Sequence, residues 1–389
     1  MEYHLALWRF MTAGESHGPG LVGIVDGVPS QVPVTSELIN QDLARRQKGY
    51  GRGGRMAIEK DQVEFFGGVR HGKTLGSPVA LLVKNRDFVN WQESMAPDEG
   101  KPDRIVTRPR PGHADLVGGI KYQHRDLRNV LERASARETT MRVALGAVAR
   151  SFLHELGIEV RGHVISIGDV HAPYKDYTLE EILASENSPV RVVDPASEKA
   201  MTDAIDRAKE AGDTLGGIFE VKAFGLPVGL GSYVQWNRRI EGQLAQALLS
   251  IPAMKAVEVG TGMAQADVPG SAVHDAIWWD KEKGFSRLSN RAGGIEGGIT
   301  TGMPLVVRIA MKPLSTLLSP LGSFDIESKE PFLAQVERSD VTAVPPAVVV
   351  GEAMVMHVLA NAILEKFGGD SLPEVQERIQ AWERYVREY

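Results

Sequence analysis

The sequence of 389 residues contains no cysteine, which excludes a disulfide-bonded scaffold, a thiolate metal site and a cysteine nucleophile. It also lacks an excess of basic residues, since 44 Lys and Arg stand against 50 Asp and Glu, a formal net charge of −6 with neutral histidines. A nucleic-acid-binding surface needs a net basic charge or a dense basic stripe to neutralise phosphates. We therefore expect no nucleic-acid partner.

The chain also lacks an uninterrupted apolar run of the roughly 18 or more residues that a membrane span needs. Its most apolar stretch, residues 347–364, is interrupted by Glu352, His357 and Asn361. The first ten residues carry charged and polar side chains where a secretory signal would need an apolar core. These absences predict a cytoplasmic protein with no membrane partner and no export signal.

Two common ligand-binding signatures are missing as well. The sequence has no Gly-x-x-x-x-Gly-Lys-Ser/Thr phosphate loop and no His-Glu-x-x-His zinc pair, and we predict no metal site. The glycine spacing in residues 49–54 lacks the preceding strand and following helix of a dinucleotide-binding unit. A nucleotide-like cofactor would therefore have to bind in some other way.

Strand and helix patterns interleave along the chain, and 43% of the residues are apolar, enough for a substantial core. The predicted strands are residues 21–25, 78–83, 158–167, 217–223 and 304–309. The predicted helices are residues 36–47, 137–156, 195–211, 241–249 and 346–367. Gly157 is placed to stop the second of these helices. The pattern indicates an α/β protein.

An internal similarity bears on the architecture. Residues 67–78 (GGVRHGKTLGSP) align without gaps on residues 293–304 (GGIEGGITTGMP), and each segment is followed by an apolar strand. Two turns of the same type could converge on part of this pattern. The whole match predicts a duplicated βα unit, with halves of approximately 1–210 and 211–389 packed face to face in a single domain spanning residues 1–389.

Two loops place a histidine beside glycine, where the imidazole is accessible and can act as an acid or base near neutral pH. The first is in residues 14–20 (GESHGPG), just before a predicted strand, and contains His17. The second is in residues 108–115 (RPRPGHAD), where two X-Pro steps make the chain rigid just ahead of His113. The two histidines could form an acid/base pair, or each could merely stabilise a turn.

Arginines are concentrated in the same part of the chain. Residues 45–55 (RRQKGYGRGGR) carry four of them, and Arg133 and Arg137 flank Ser135 at a predicted helix start. Glycine is also abundant, at 41 residues, and glycine-rich loops let a ligand approach the backbone closely. A carboxylate or phosphate gains from both free helix N–H groups and guanidinium groups, so the pattern favours a large anionic ligand. A solvated basic patch or a stripe that follows a nucleic-acid backbone remains an alternative interpretation.

Taken in order, these segments resemble the chorismate synthase family over essentially the whole chain. The matching segments are residues 14–18 (GESHG), 45–55, 108–115, 133–139 (RASARET), 290–298 (NRAGGIEGG), 338–340 (RSD) and 368–371 (GGDS). The resemblance implies an α/β (α+β) fold, a β–α–β sandwich built from two related βα halves around a helical core.

It also implies a lyase that converts 5-enolpyruvylshikimate 3-phosphate to chorismate and inorganic phosphate. The reaction is an anti-1,4-elimination and the last step of the shikimate pathway to aromatic amino acids. The family requires reduced FMN although the reaction is redox-neutral overall. Transient electron donation from reduced flavin would assist departure of the phosphate.

The resemblance assigns catalytic roles to three residues. His17 matches the family histidine beside the substrate, which suits it to protonating the departing phosphate. His113 matches the histidine near the flavin pyrimidine edge, where it balances the charge of anionic reduced FMN. Asp340 matches the carboxylate near flavin N5 that takes part in deprotonation at C6, and pairing with Arg338 should keep it ionised.

Binding residues follow from the same match. Substrate contacts are expected from Ser16, Arg46, Arg52, Arg55 and Arg137. FMN contacts are expected from Arg133, Ala134, Ser135, Pro252, Ala253, Gly297, Lys312, Pro313, Leu314, Ser315, Thr316 and Arg338. Most of the flavin set lies in the second half and both histidines lie in the first, so we expect the site where the halves meet. Pro252 stands where many relatives carry a glutamine, so a contact there would use the backbone.

The resemblance further implies a homotetramer. NADPH would act only indirectly, by regenerating reduced flavin, and a separate flavin reductase could supply it. No nicotinamide-binding insertion is visible in 389 residues, which favours the monofunctional type. Two other functions remain open from the sequence: an NAD(P)H-dependent flavin reductase or flavin-dependent oxidoreductase, and a non-catalytic protein that binds anions or nucleic acid.

Overall fold

The fold consists of two antiparallel sheets with helices between them. A computed structural model describes residues 7–53, 60–100, 103–281, 284–337 and 340–389. The strands in these ranges are β1 (Arg9–Ala13), β2 (Gly20–Asp26), β3 (Val63–Gly67), β4 (Val69–Arg70), β5 (Lys73–Thr74), β6 (Val79–Lys84), β7 (Glu159–Ile167), β8 (Val170–His171), β9 (Gly217–Phe224), β10 (Met254–Val259), β11 (Ile277–Asp280), β12 (Gly284–Arg287), β13 (Ile295–Glu296), β14 (Ile299–Thr300), β15 (Leu305–Met311), β16 (Gly322–Phe324) and β17 (Pro331–Leu333).

The helices of the same ranges are α1 (Ser36–Gln47), α2 (Asp115–Tyr122), α3 (Arg128–Ala134), α4 (Thr139–His154), α5 (Leu179–Ala184), α6 (Pro195–Glu210), α7 (Ile240–Leu249), α8 (Gly270–Val273), α9 (Val344–Phe367) and α10 (Leu372–Glu388). Short 3₁₀ helices occur at Arg86–Asn90, Ala136–Glu138, Ser185–Asn187, Trp236–Arg238 and Gly262–Asp267. All five predicted strands and all five predicted helices are confirmed as β2, β6, β7, β9 and β15, and as α1, α4, α6, α7 and α9.

The two main sheets have simple antiparallel orders. The first sheet runs β1-β2-β6-β3 and the second runs β10-β15-β9-β7-β8. In β2, Leu21, Gly23 and Val25 are buried while the residues between them are exposed, which is the period of two that one covered face produces. The first sheet therefore has one face toward the helices.

Helices α4 and α9 fill the space between the sheets. On α4, Leu145 contacts Gly23 of β2, and on α9, Gly351 lies against Phe219 of β9. The two helices touch each other where Gly146 faces Ala353. The layers are therefore sheet, helices and sheet, as the predicted β–α–β sandwich requires.

Helix α9 is the most apolar element of the core. Among the helices of the described ranges, it alone is long and apolar enough to cross a membrane, but 89% of its most apolar window is buried inside the protein. The apolar character of α9 along its length is thus explained by its packing against α4 and against β9 of the second sheet.

A buried ion pair fixes α9 against its surroundings. Glu352 is fully buried at the middle of α9 and accepts hydrogen bonds from both terminal nitrogens of Arg45 at 2.7 and 2.9 Å, and from the N–H of Gly162 at 2.9 Å. Burial would lower the pKa of Arg45, but the charge and hydrogen bonds of Glu352, together with contributions from Glu186 and Asp42, outweigh it and raise that pKa. The pair ties α1 and β7 to the core helix.

The two similar segments adopt the same local structure. Residues 67–78 contain the hairpin β4–β5 and residues 293–304 contain the hairpin β13–β14. In the first, the Thr74 hydroxyl donates to the carbonyl of Pro29 at 2.6 Å; in the second, the Thr300 hydroxyl donates to the carbonyl of Pro227 at 2.7 Å. The duplication stays a prediction, which these matched contacts favour.

The sheet orders bear on where a repeat would begin. The order β1-β2-β6-β3 in the first sheet corresponds to β7-β9-β15-β10 in the second, with β8 added at the edge. Strand β7 lies before residue 210, yet it has the position in its sheet that β1 has in the other. The correspondence therefore favours a boundary between α4 and β7 rather than the one expected near residue 210.

We predict that Gly146→Ala destabilises the protein. A Cβ at this position would lie 2.5 Å from the Cβ of Ala353, so α4 and α9 would have to move apart. Overpacking of this kind costs about 1–3 kcal/mol in the free energy of unfolding, measured by denaturant titration. The control is Gly242→Ala in α7, where the added Cβ meets nothing within 4 Å and should stabilise by up to about 1 kcal/mol. A Gly146→Ala protein as stable as wild type would contradict the close packing.

We also predict that Glu186 contributes acid-sensitive stability. Burial would raise its pKa, but hydrogen bonds and charge from Arg45 and Arg191 lower the pKa from 4.5 to about 2. Because the folded pKa is the lower one, this stabilisation is complete above pH 4.5 and is lost as the pH falls toward 2. Glu186→Gln should therefore cost on the order of 2–3 kcal/mol at pH 7, and the difference from wild type should shrink below pH 4.5.

Unfolding free energies of both proteins between pH 7 and pH 3 test this. Glu383→Gln, at an exposed position of α10, serves as the control and should show no such dependence. A pH-independent cost for Glu186→Gln would contradict the assignment of the lowered pKa.

Candidate functional site

A cleft of about 370 Å³ opens where loops of both predicted halves meet. Helices α4 and α9 both begin at this cleft, since Thr139 at the start of α4 and Pro346 and Ala347 at the start of α9 line its wall. The amino terminus of a helix carries free N–H groups and a partial positive charge. The cleft is therefore electrostatically suited to an anionic ligand.

Many of the residues predicted from the sequence line this cleft. They are Ser16, His17, Arg46, Arg52, His113, Ser135, Arg137, Pro252, Leu314, Ser315, Thr316 and Asp340. Their chain positions run from 16 to 340, so the fold brings together loops that are far apart in sequence.

His17 is held by Glu132, a residue that sequence reasoning did not single out. Nδ1 of His17 lies 2.9 and 3.0 Å from the two carboxylate oxygens of Glu132, and the backbone N–H of His17 donates to the same carboxylate at 2.8 Å. Gly14 has φ +105° in the preceding turn, a conformation that glycine adopts easily. The imidazole stacks on Trp91 with a centroid distance of 3.9 Å.

His113 has an analogous partner in Asp115, the buried first residue of α2. The distance from Nδ1 of His113 to Oδ1 of Asp115 is 2.5 Å, and Arg110 donates to Asp115 from Nε at 2.8 Å. Burial raises the pKa of Asp115, but the hydrogen bonds from His113 and Arg110 outweigh it and hold that pKa well below its usual range. Arg110 also donates to Thr316 at 3.0 Å, which joins the His113 loop to the second half.

Asp340 faces the glycine-rich loop of the first half. It accepts a hydrogen bond from the backbone N–H of Gly53 at 2.6 Å and forms an ion pair with Arg52 at 2.7 Å. Arg338, the partner expected from the sequence, lies outside the described residues, as does Arg55. The ion pair that the structure gives Asp340 is thus with an arginine that had been predicted only as a substrate ligand.

Arg46 and Arg137 form the buried basic floor of the cleft and share Asp61. Arg137 lies 2.6 Å from Oδ1 of Asp61 and also donates twice to Asn85, at 3.0 and 2.8 Å. Arg46 donates to the carbonyl of Ala136 at 2.9 Å, at the start of the α4 region. Two guanidinium groups beside one carboxylate leave a net positive charge.

Arg46 retains capacity for a ligand. Its Nη1 is buried, lies 3.7 Å from Asp61 and has no hydrogen-bond acceptor within the described ranges. Burial, together with the nearby positive charges of Arg137 and Arg52, lowers the pKa of Arg46 to about 10, so the group remains protonated at neutral pH. An acceptor oxygen from a ligand would satisfy this nitrogen.

Apolar side chains, here together called the apolar wall, also line the cleft. They are Leu131, Ile251, Pro252, Met254, Met311, Leu314, Ala343, Ala347 and Val350. A cleft lined by histidines and arginines as well as by this apolar wall fits an aromatic ring system with a polar edge, such as the isoalloxazine of a flavin. Ser135, Pro252 and residues 314–316 are the predicted flavin residues available here.

Other predicted flavin residues lie beside the cleft or away from it. Arg133 donates to the carbonyl of Thr12 at 2.8 Å, and with Ala134 and Pro252 it lines a second, open hollow of about 530 Å³. The residues near the cleft that do not line it are Ala253, Lys312 and Pro313. Gly297 lies in the turn between β13 and β14 and does not line the cleft either.

Lys312 nevertheless contacts the loop of His113, because its Nζ donates to the carbonyl of Gly112 at 2.8 Å. Ala253 takes a left-handed conformation with φ +71°, and its carbonyl accepts a hydrogen bond from the N–H of Lys312 at 3.0 Å. Lys312 therefore supports the His113 loop, and Ala253 holds the backbone of Lys312. Their roles toward a flavin stay predictions.

Comparison with known proteins points to one family. A family model described as chorismate synthase matches residues 8–364. The chorismate synthase of Geobacillus kaustophilus is 58% identical over 387 residues, covering 98% of this chain and 100% of the relative. That of Desulforamulus reducens is 56% identical over 384 residues, covering 98% of this chain and 99% of the relative.

The chain belongs to the chorismate synthase family. A crystal structure of a chorismate synthase superimposes with a TM-score of 0.80 at 44% identity, covering 98% of this chain and 99% of the other. The predicted fold class and the predicted family are thereby confirmed. As a chorismate synthase family member, the protein is an enzyme, a lyase of the shikimate pathway.

We predict that Arg46→Met weakens the binding of anions in the cleft. A hydrogen bond between charged groups contributes about 1.5–3 kcal/mol, so the affinity for inorganic phosphate should fall about tenfold or more. Titration calorimetry at low ionic strength measures this. Arg70→Met, at an exposed position of the β4–β5 hairpin, should leave the affinity unchanged. Equal affinities of Arg46→Met and wild type would exclude Arg46 as an anion ligand.

Proposed function

We propose that the cleft converts 5-enolpyruvylshikimate 3-phosphate to chorismate and inorganic phosphate by anti-1,4-elimination, with reduced FMN as cofactor. The observation that carries the proposal is that two carboxylate-bound histidines, Asp340 and a buried cationic floor converge at the starts of α4 and α9. In a chain of the chorismate synthase family, this arrangement matches both the charge and the chemistry of that substrate.

The substrate carries one phosphate and two carboxylates, and the cleft supplies positive charge to match. Arg46 and Arg52 are the arginines that we assign to it, with the helix N-termini behind them. Arg137 is already bound to Asp61 and Asn85, so we assign it mainly to holding the floor in place. We assign to Ser16, whose hydroxyl lies 3.1 Å from that of Ser135, a further hydrogen bond to the substrate.

His17 is the proposed acid for the leaving group. The C–O bond to the phosphate breaks, and the phosphate oxygen takes a proton from the imidazole. Asp340 is proposed to take part in removing the proton at C6, and Arg52, 2.7 Å away, holds its carboxylate at the cleft. Each role uses a group that lines the same cleft.

The residues present fit a bound flavin. Ser135, Pro252 and residues 314–316 would hold reduced FMN against the apolar wall, and His113, fixed by Asp115, would balance negative charge at its polar edge. When bound, reduced FMN supplies transient electron donation to a reaction that is redox-neutral overall. Pro252 can offer a flavin its ring and its carbonyl oxygen, but no side-chain amide.

We extend the proposal to the oligomeric state of the protein. The outward side of β2 carries Val22 and Ile24, both exposed and apolar, where a water-facing antiparallel sheet normally carries polar residues. This supports the expected homotetramer.

NADPH would act only through regeneration of reduced flavin, and a separate flavin reductase would supply that reduced flavin. The enzyme would work in the cytoplasm.

The reaction itself is the first test. The purified protein is incubated anaerobically with chemically reduced FMN and 5-enolpyruvylshikimate 3-phosphate, and chorismate and phosphate are followed together. We expect equal release of both without added NADPH, and none with oxidised FMN. A folded protein that binds FMN but forms no chorismate would contradict the proposal and favour an oxidoreductase instead.

We predict that His17→Ala and His113→Ala retain FMN and substrate binding but lose most turnover. General acid or base catalysis contributes about 10²–10⁴-fold, and kcat should fall by that order in each variant. His154→Ala is the control, because His154 is an exposed histidine that also pairs with a carboxylate, that of Glu159. A loss below about tenfold in both cleft variants would count against their chemical roles.

A further inference from the structure

His17 is bound to a carboxylate on the protein side and faces the cleft on the other. Glu132 is almost fully buried on α3 and makes three contacts with His17, two to Nδ1 and one to the backbone N–H. The backbone carbonyl of Glu132 also accepts the N–H of Ser16 at 3.0 Å. One residue of α3 therefore fixes both the loop and the ring of His17.

The chemistry of the pair determines where the ring proton lies. Burial would raise the pKa of Glu132, but the hydrogen bonds and charge of His17 outweigh it and lower that pKa, so the group is an ionised carboxylate. An ionised carboxylate only accepts hydrogen bonds, so Nδ1 of His17 must carry a hydrogen. With Nδ1 engaged in this way, only Nε2 can serve a ligand in the cleft.

We propose that Glu132 is a positioning residue for catalysis, which fixes His17 with Nδ1 protonated and presents Nε2 to the departing phosphate. The inference rests on the proposed function of His17 and extends it to a residue outside the cleft lining. After Nε2 gives its proton to the phosphate oxygen, the ring is left neutral with its remaining proton on Nδ1. Glu132 thus sets the tautomer in which Nε2 can take up the next proton.

The surroundings of the pair restrain both partners. Arg128, one turn earlier on α3, donates to Glu132 at 3.1 Å and fixes the carboxylate. Trp91 covers one face of the His17 ring, and the guanidinium of Arg104 lies 3.9 Å from the Trp91 centroid. Among the described residues, the charged groups that line the same cleft as His17 include Asp87, Glu337 and Asp340, as well as Arg46, Arg52, Arg110 and Arg137.

Comparison with other histidines in the chain shows what is special about this pair. His113, Asp115 and Arg110 repeat the order of imidazole, buried carboxylate and arginine at the same cleft. His154 and Glu159 form a histidine–carboxylate pair as well, but the His154 side chain is 68% exposed and lies away from the cleft. The surface pair is therefore a matched control with the same chemistry and no access to the ligand.

The test combines ring ¹⁵N NMR with steady-state kinetics on the full chain. Histidine is labelled with ¹⁵N, and the His17 signal is identified by its loss in His17→Gln. In the wild-type protein, at a pH where the His17 ring is neutral, we expect a proton on Nδ1 and none on Nε2. In Glu132→Gln we expect a mixture of tautomers, because an amide can either donate or accept.

The kinetic part separates positioning from binding. With reduced FMN and 5-enolpyruvylshikimate 3-phosphate, we expect kcat of Glu132→Gln to fall about 10- to 100-fold, part of the roughly 10²–10⁴-fold contribution of an acid catalyst. KM should change less than about threefold, because Glu132 does not line the cleft. Glu159→Gln should leave kcat, KM and the His17 signals unchanged.

The outcomes distinguish this inference from the proposed function. If the neutral ring of His17 in the wild-type protein carries its proton on Nε2, the role of Glu132 is overturned. This measurement does not require any variant to fold. Wild-type kcat in Glu132→Gln would overturn it as well. If the wild-type protein forms no chorismate while Nδ1 is protonated as expected, the proposed function fails, and with it the catalytic meaning of the pair.

Discussion

The packing of α4 and α9 between the two sheets is the constraint on which the rest of the structure depends. The helices touch where Gly146 faces Ala353, and the buried pair of Arg45 and Glu352 locks α9 against α1 and β7. Because both helices begin at the same cleft, their N-termini and the buried arginines act on one volume. A ligand there meets positive charge that the fold itself holds in place, at no cost of reorganisation.

Much of the fold could be predicted from the sequence because its signals are local. Helix α1 spans the predicted residues 36–47, and the Thr35 side chain just before it accepts the N–H of Leu38. The glycine-rich histidine loops could be recognised for the same reason, since turn chemistry and accessible imidazoles leave a pattern of adjacent residues. That these loops meet in one cleft followed only from the family resemblance.

The rest could not be predicted because it depends on pairs far apart in the chain. Glu132 contacts His17 across 115 positions, while its neighbour Arg128 makes it look like an ordinary helix ion pair. Asp61 is buried between two arginines, although no pattern around it indicates burial. Arg133 hydrogen-bonds the carbonyl of Thr12, 121 positions away in the chain, and lines the neighbouring hollow; its role toward a flavin stays a prediction.

The central claim is that the starts of the two core helices form the anion site at which the chemistry occurs. A crystal structure with FMN and 5-enolpyruvylshikimate 3-phosphate tests it most directly. We expect the substrate phosphate in the cleft, hydrogen-bonded to Arg46 and within reach of Nε2 of His17, with the flavin ring against the apolar wall. Substrate bound in the hollow beside Arg133, with the cleft filled only by solvent, would contradict it.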